Sequence, residues 1–431
     1  MKIKALFICF LMLSMTGILL VLSEKTSVPK DYELNPVPET LSFTTEKDTI
    51  NILRTSTEDK YMPLNYEYQK AMWFTVMDYQ AILFNKSEEE FRSAVLDRFK
   101  KAADIGINTV YVHVRSNCDA YYNSKIFPYG VHFTAGGIFD PLEIITDIAH
   151  SLGLSVHAWI NPLRGQTTEQ MDLMSDSFII KQWYKDEIKR NTYICEIEGR
   201  WYLNPAYSEA RKLVADGAAE IARNYNIDGI HIDDYFYPTV AESFDAAAFN
   251  EASAEDLSLW RLENINRMVK EMYSTIKREN PDILFGISPQ GSINMNYSTQ
   301  YADVRRWASE KGFCDYIAPQ LYYGFENESC PFIQTLDEWC ALASEPSVKL
   351  VAGICTYKTG LEDKWAGKGA GEWINNADIA SRQTEHIISD SRIKGIAIYS
   401  YASTLEDTGN AGINEIIAAE RKKIREKLLK K

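Results

Sequence analysis

Cysteine and histidine are scarce, with seven and six copies in 431 residues. No C-x-x-C pair and no H-E-x-x-H run occurs, which argues against a structural zinc site or a helix-borne zinc centre. Seven cysteines are also too few for a disulfide scaffold. Positive charge is in deficit: 46 Lys and Arg stand against 60 Asp and Glu, a formal charge of −14. A field of that sign repels phosphate backbones and anionic lipid, so a nucleic-acid partner is excluded. No G-x-G-x-x-G follows the first predicted strand, and no G-x-S-x-G elbow is present. The first absence argues against a dinucleotide fold, the second against a Ser–His–Asp hydrolase.

What the chain does have is an ordinary globular balance, 45% apolar and 25% charged. Aromatics reach 12%, with 25 Tyr and 9 Trp, a surplus that suits a sugar-binding cleft. Lys2 and Lys4 precede an apolar run from Ala5 to Leu22. Residues 1–23 therefore read as a signal peptide or an uncleaved anchor that tethers the chain through residues 5–22. Either way the remainder works outside the cytoplasm, secreted or held at the outer face of the membrane. Residues 24–65 are polar and aperiodic, as expected of a linker that does not pack on the domain after it.

From residue 66 to 431, β-type runs alternate with helical patterns. The strands are expected at Ala71–Asp78, Thr109–Arg115, Ser155–Asn161, Gly229–Tyr235, Leu284–Gln290, Tyr316–Tyr323, Lys349–Tyr357 and Gly395–Tyr401. Ser87–Ile105 reads as a helix with Phe91, Val95, Leu96, Phe99, Ala102 and Ala103 on one face. Asp140 and Pro141 open another helix, stopped by Gly153. Eight strand–helix units predict a (β/α)8 TIM barrel, with a doubly wound sheet as the rival.

Alternation along each strand separates two faces. The valines of 110–114 form one, while Tyr111, His113 and Arg115 form the other. The same face carries His157, Trp159 and Asn161; His231 and Asp233; Ser288 and Gln290; Gln320 and Tyr322; Tyr399 and Tyr401. In a barrel this set points down the axis, and it grows more polar toward the strand ends where barrel enzymes build their sites. Each such group left unpaired costs about 1–3 kcal/mol, so a cleft that meets a polar ligand explains the pattern better than a core.

The candidate acids are Asp233 at the inward end of the fourth strand, its neighbour Asp234, Asp78 at the end of the first strand, and Glu326 past the sixth. Adjacent acids are costly unless they bind something or split their pKa values. Arg115 and Arg164 lie near strand ends, where a guanidinium holds a carboxylate ionised or binds a ligand acid. Tyr235 follows the acidic pair. Two long loops, Pro162–Asn204 with Trp183, Tyr184, Tyr193, Trp201 and Tyr202, and Phe236–Ser253, read as walls of a polysaccharide cleft.

The runs Asp228–Pro238 (DGIHIDDYFYP), His157–Arg164 (HAWINPLR) and Trp201–Arg211 (WYLNPAYSEAR) resemble glycosyl-hydrolase-like family ten, bacterial extracytoplasmic TIM-barrel proteins. Trp73–Asp78 and Asp119–Pro128 fit the same pattern, and the resemblance spans about residues 68–415. It implies a glycoside hydrolase acting on envelope or extracellular polysaccharide; some relatives are linked to peptidoglycan glycan strands stripped of peptides. The expected chemistry needs no cofactor and no metal. Asp233 is the expected catalytic carboxylate, with Asp234 or Asp78 as second acid or as the neighbour that sets its pKa. The expected substrate ligands are His113, Arg115, His157, Trp159, Asn161, Arg164, His231, Tyr235, Gln290, Gln320, Tyr322, Glu326 and Tyr399. Two rivals stay open: a non-catalytic glycan-binding barrel and a metal-dependent hydrolase or deacetylase.

Overall fold

A computed structural model describes residues 61–133, 138–233 and 236–431. The expected signal or anchor at 1–23, most of the linker, Asp234 and Tyr235 lie outside the described residues. The described strands are β1 (Gln69–Phe74), β2 (Thr109–Arg115), β3 (Ser155–Ile160), β4 (Arg164–Thr167), β5 (Ile194–Ile197), β6 (Arg200–Leu203), β7 (Gly229–Ile232), β8 (Leu284–Ile287), β9 (Tyr316–Ile317), β10 (Lys349–Cys355) and β11 (Gly395–Tyr399). Eight of them close a parallel barrel in the order β1-β2-β3-β7-β8-β9-β10-β11, with β11 returning to β1. The chain is a (β/α)8 barrel, and each expected strand supplies one stave.

Local chemistry sets the helix ends. Ser87 and Glu90 form a reciprocal capping box at the start of Glu88–Asp104. Phe91, Val95, Phe99 and Ala102 are its buried stripe. Leu96 is expected in that stripe by its spacing, but it is 44% exposed, because it sits one helical step to the side. Asp140 caps Pro141–Ser151 by accepting the amides of Leu142 and Glu143.

The outward strand residues, among them Val110, Val112, Val156, Ile230, Ile232, Phe285, Ile396 and Ile398, join the large apolar layer under the helices. The inward residues Ala71, Trp73, Tyr111, Trp159, Tyr316, Ala318, Val351 and Ala397 form a separate cluster on the barrel axis. Gly286 makes room for this filling, since a Cβ there would lie 1.8 Å from the Tyr316 ring.

Two expectations need correction here. Residues 61–65, the described end of the expected linker, do pack on the barrel. Tyr61 stacks on His150 with centroids 5.3 Å apart, and Tyr61 Oη and the Leu64 amide both donate to Asp228 at the barrel floor, each at 2.5 Å. The Pro162–Asn204 excursion is not structureless: β4, β6 and β5 form a small antiparallel sheet, flanked by the helices Thr168–Leu173 and Ile179–Lys185. Its aromatics pack on each other, as Tyr184 does edge-on to Trp201 at 5.2 Å.

Candidate active site

β2, β3 and β7 lie side by side and carry one half of the barrel mouth. Asn161 follows β3, and its Nδ2 donates to Asp233 Oδ1 at 2.5 Å. The Asn161 amide oxygen lies 2.6 Å from Nε2 of His113. The His113 ring stacks on Trp159 at 3.8 Å and 12°. Burial, with Arg164 beside it, pushes the His113 pKa down to about 3, so the ring is neutral. His113, Trp159, Asn161, Arg164 and Asp233 are thus brought together as expected.

The opposite half is aromatic. Trp73 on β1, Tyr322 after β9, Tyr357 after β10 and Tyr399 on β11 contact one another. Trp73 lies 6.4 Å from Tyr322 and 6.0 Å from Tyr399, and Tyr357 lies 6.1 and 6.0 Å from the same two rings. Lys358 fixes the Tyr322 backbone by donating to its carbonyl at 2.7 Å while paired with Asp363. Gln320 forms backbone bridges to Gln290 and Gly353, and its Nε2 reaches the Ser288 carbonyl at 3.3 Å. Gln290 and Gln320 therefore line the ends of β8 and β9. Trp73 and Tyr357 are not among the residues expected from sequence. For Trp73 the signal is present, because it alternates with the outward Met72 and Phe74.

Five expected site residues have other work. His157 and His231 sit a layer deeper, both buried. Tyr316 Oη lies 2.8 Å from Nδ1 of each, and Trp73 Nε1–H donates to His231 Nε2 at 3.1 Å. That donation leaves the His231 proton on Nδ1, so it donates to Tyr316, which donates onward to His157. Burial holds both imidazoles below their ordinary pKa, and as neutral rings they fill the barrel rather than meet a substrate.

Arg115 faces outward. A register shift between His113 and Arg115 turns it to the helix layer. There its guanidinium covers the Phe127 ring at 4.6 Å, against a helix in which Gly217 leaves it room. Asp78 does not end a strand. It is the third residue of the helix Val76–Leu83, in a capping box with Thr75, and Oδ1 accepts the Ala402 amide at 3.1 Å. Burial raises its pKa to about 6, but the carboxyl clasps the first and last βα units together. Glu326 is exposed, on a loop whose amides at Phe325 and Glu326 are held by the buried Glu372 at 2.9 Å. Tyr401, expected on the inward face, packs outward on Phe74 at 4.6 Å, because β11 ends at Tyr399 and Tyr401 opens a helix.

Among the described residues no group of three His, Cys, Asp or Glu is arranged to hold a metal. Two shallow hollows of about 460 and 530 Å³ lie on the helix layer and contain none of the mouth residues.

Residues 69–367, well over half the chain, match the model of the family described as Glycosyl hydrolase-like 10. The chain belongs to this family. Glycosyl hydrolase DigH of Escherichia coli K12 is 29% identical over 328 residues, covering 70% of this chain and 73% of DigH. Glycosyl hydrolase YngK of Bacillus subtilis is 30% identical over 302 residues, covering 63% of this chain and 56% of YngK. Among solved structures, the glycoside hydrolase domain of PgaB (BpsB) from Bordetella bronchiseptica superposes with TM-score 0.54 at 9% identity, over 81% of this chain and 98% of that one. At that identity the likeness concerns the fold. Family membership supports a glycosidase-like function for the barrel.

The loop after β7 is braced in a way that no local sequence pattern signals. Arg261 and Asp245 pair with both side chains fully buried, Arg261 Nε–Oδ2 at 2.9 Å and Nη2–Oδ1 at 2.5 Å. Arg261 also donates to Tyr301 Oη and the Ala241 carbonyl, and Tyr237 Oη donates to Asp245. The segment that leaves Asp233 is therefore anchored to the next helix, Leu257–Glu279.

Proposed function

We propose that this chain is an extracytoplasmic glycoside hydrolase that cleaves the glycan strands of peptidoglycan, with Asp233 as a reacting carboxylate. The observation that carries the reading is the position of Asp233. It stands at the exit of β7, held by Asn161, across the mouth from the Trp73–Tyr322–Tyr357–Tyr399 wall. Sugar rings present apolar faces to aromatics and hydroxyls to groups such as Gln290, Gln320 and Arg164, which is the division of labour a glycan cleft needs. A single carboxylate can act as nucleophile, base or acid in glycosidic cleavage, and a second group completes the pair. The clasp made by Asp78 and the exposure of Glu326 on its loop weigh against either as that second group. Its adjacent acid, Asp234, is the candidate that remains. The N-terminal run would deliver the barrel outside the cytoplasm or tether it there.

The test is digestion of purified, peptide-free glycan strands, read by mass spectrometry of the released sugars. New reducing ends that appear with the wild type and not with Asp233→Asn support the reading. Asp233→Asn with undiminished turnover overturns the catalytic assignment. The binding-only alternative draws on the engagement of Asp78 elsewhere, and it predicts strands that are bound and never shortened.

A further inference from the structure

We propose that Trp365 is an outer sugar-binding platform that lengthens the cleft and gives the barrel a preference for polymer strands over short oligosaccharides. The proposal rests on the reading of the mouth as a glycan cleft. It deepens that reading by adding a specificity-determining residue beyond the Trp73–Tyr322–Tyr357–Tyr399 wall. β10 runs parallel to its neighbours and delivers the loop 356–378 at the mouth. That loop carries two tryptophans, and they are used in opposite ways. Trp373 is 2% exposed and packs with Tyr322, Cys355 and Ile379, with Tyr357 and Tyr399 against the same cluster. Trp365 is 44% exposed.

The exposure does not come from a loose loop. Asp363 and Ala366, which flank Trp365, are both buried. The Asp363 carboxylate accepts Lys358 Nζ at 2.7 Å, and the same ammonium donates to the Tyr322 carbonyl at 2.7 Å. Its other oxygen lies 3.4 Å from the Trp365 amide, and the Asp363 carbonyl accepts the Ala366 amide at 2.9 Å, closing a turn around Trp365. Beyond the turn, the Ala366 carbonyl accepts the Glu328 amide at 3.0 Å, which ties this loop to the one after β9. Gly369 permits that close approach, since a Cβ there would lie 2.4 Å from the Glu326 carbonyl oxygen. One carboxylate thus braces both the wall residue Tyr322 and the turn that presents Trp365. A lone exposed apolar side chain elsewhere on a surface needs no explanation. Here burial of the ring would have stabilised the fold, yet the mount that carries the aromatic wall holds it in water. A flat indole in that place offers the next sugar along a strand the kind of apolar contact that the wall offers deeper in the cleft.

The test is calorimetric binding of peptide-free glycan strands, and of fragments with successively fewer sugars, to full-length protein carrying Asp233→Asn to stop turnover. Added to that background, Trp365→Ala should weaken binding of long strands roughly tenfold, the scale of one lost ring contact, with a loss that shrinks as the fragments shorten. Trp365→Tyr keeps a flat ring and should recover much of the loss. Leu361→Ala, at a side chain 45% exposed on the same loop, should bind as its parent does. Trp365→Ala that binds every length as tightly as its parent, while the wild type cuts the strands, overturns the platform and leaves the proposed function standing. An equal loss from Leu361→Ala overturns it too, since the ring is then not what the strand meets. A wild type that neither binds nor cuts the strands overturns the proposed function, and the platform with it.

Discussion

The floor and the mouth of this barrel are lined by the same inward alternation, yet their polar groups are used differently. At the floor the buried acid is spent on the protein itself. The Asp228 side chain is fully buried and takes donors from Tyr61, Leu64 and Val156, with His150 Nε2 at 2.9 Å. One layer up, Tyr316 occupies both buried histidines. At the mouth the hydrogen bonds converge instead on one carboxylate, facing an aromatic wall across the axis. Depth along the strand, rather than the side it faces, separates structure from chemistry.

Substitutions can break that contrast, and the largest effect should come at the mouth. Asp233→Asn should lower the rate of strand cleavage by about 10²–10⁴ or more, while the melting temperature stays close to wild type. Kinetics and a thermal melt on one preparation check both halves. At the floor the pattern should invert. Asp228→Ala leaves the Leu64 and Val156 amides without their acceptor and should cost about 3–5 kcal/mol by denaturant titration, with turnover per folded molecule preserved.

Burial alone would raise the Asp228 pKa, but the hydrogen bonds from His150, Tyr61, Val156 and Leu64 outweigh it and hold the carboxyl below its usual value. Its contribution is therefore present above the unfolded pKa of about 3.9 and is lost as pH falls through the lower folded value. The stability gap between wild type and Asp228→Asn should close as the pH drops below about 4, which acid titration of both proteins would show. A gap that widens there would contradict the fastening.

A smaller effect is expected one layer up. Tyr316→Phe removes the hydroxyl shared by His157 and His231 and should cost about 1–3 kcal/mol in stability, with kcat retained. A large kcat loss would mean that the histidine layer belongs to the site after all. The smallest effect sharpens the comparison at the rim. Glu326→Gln should change stability by less than about 0.5 kcal/mol and leave cleavage unaltered, because its side chain is exposed and only its backbone is clamped.

Much of this architecture is legible in the sequence. Periods of two and 3.6, with caps such as Ser87 and Asp140, locate all eight barrel strands and most helices, because burial of one face imposes those periods on any chain that folds this way. The same period places Tyr111, Trp159, Asn161 and Asp233 on the axis. Alternation does not measure depth, so His157 and His231 look like ligands when they are filling. Nor does it survive an irregularity: one register shift sends Arg115 to the helices, and the early end of β1 turns Asp78 from a strand-end acid into a helix cap. The attachment of Tyr61 and Leu64 to Asp228, and of Arg261 to Asp245, joins positions whose partnership has no local signature. What sequence alone determined is the set of elements and the face each presents, since both follow from short-range sterics and water. The level at which each inward side chain sits, and which one is left to meet a ligand, was decided only when eight distant strands closed into register, because hydrogen-bond partners across a barrel are chosen in three dimensions.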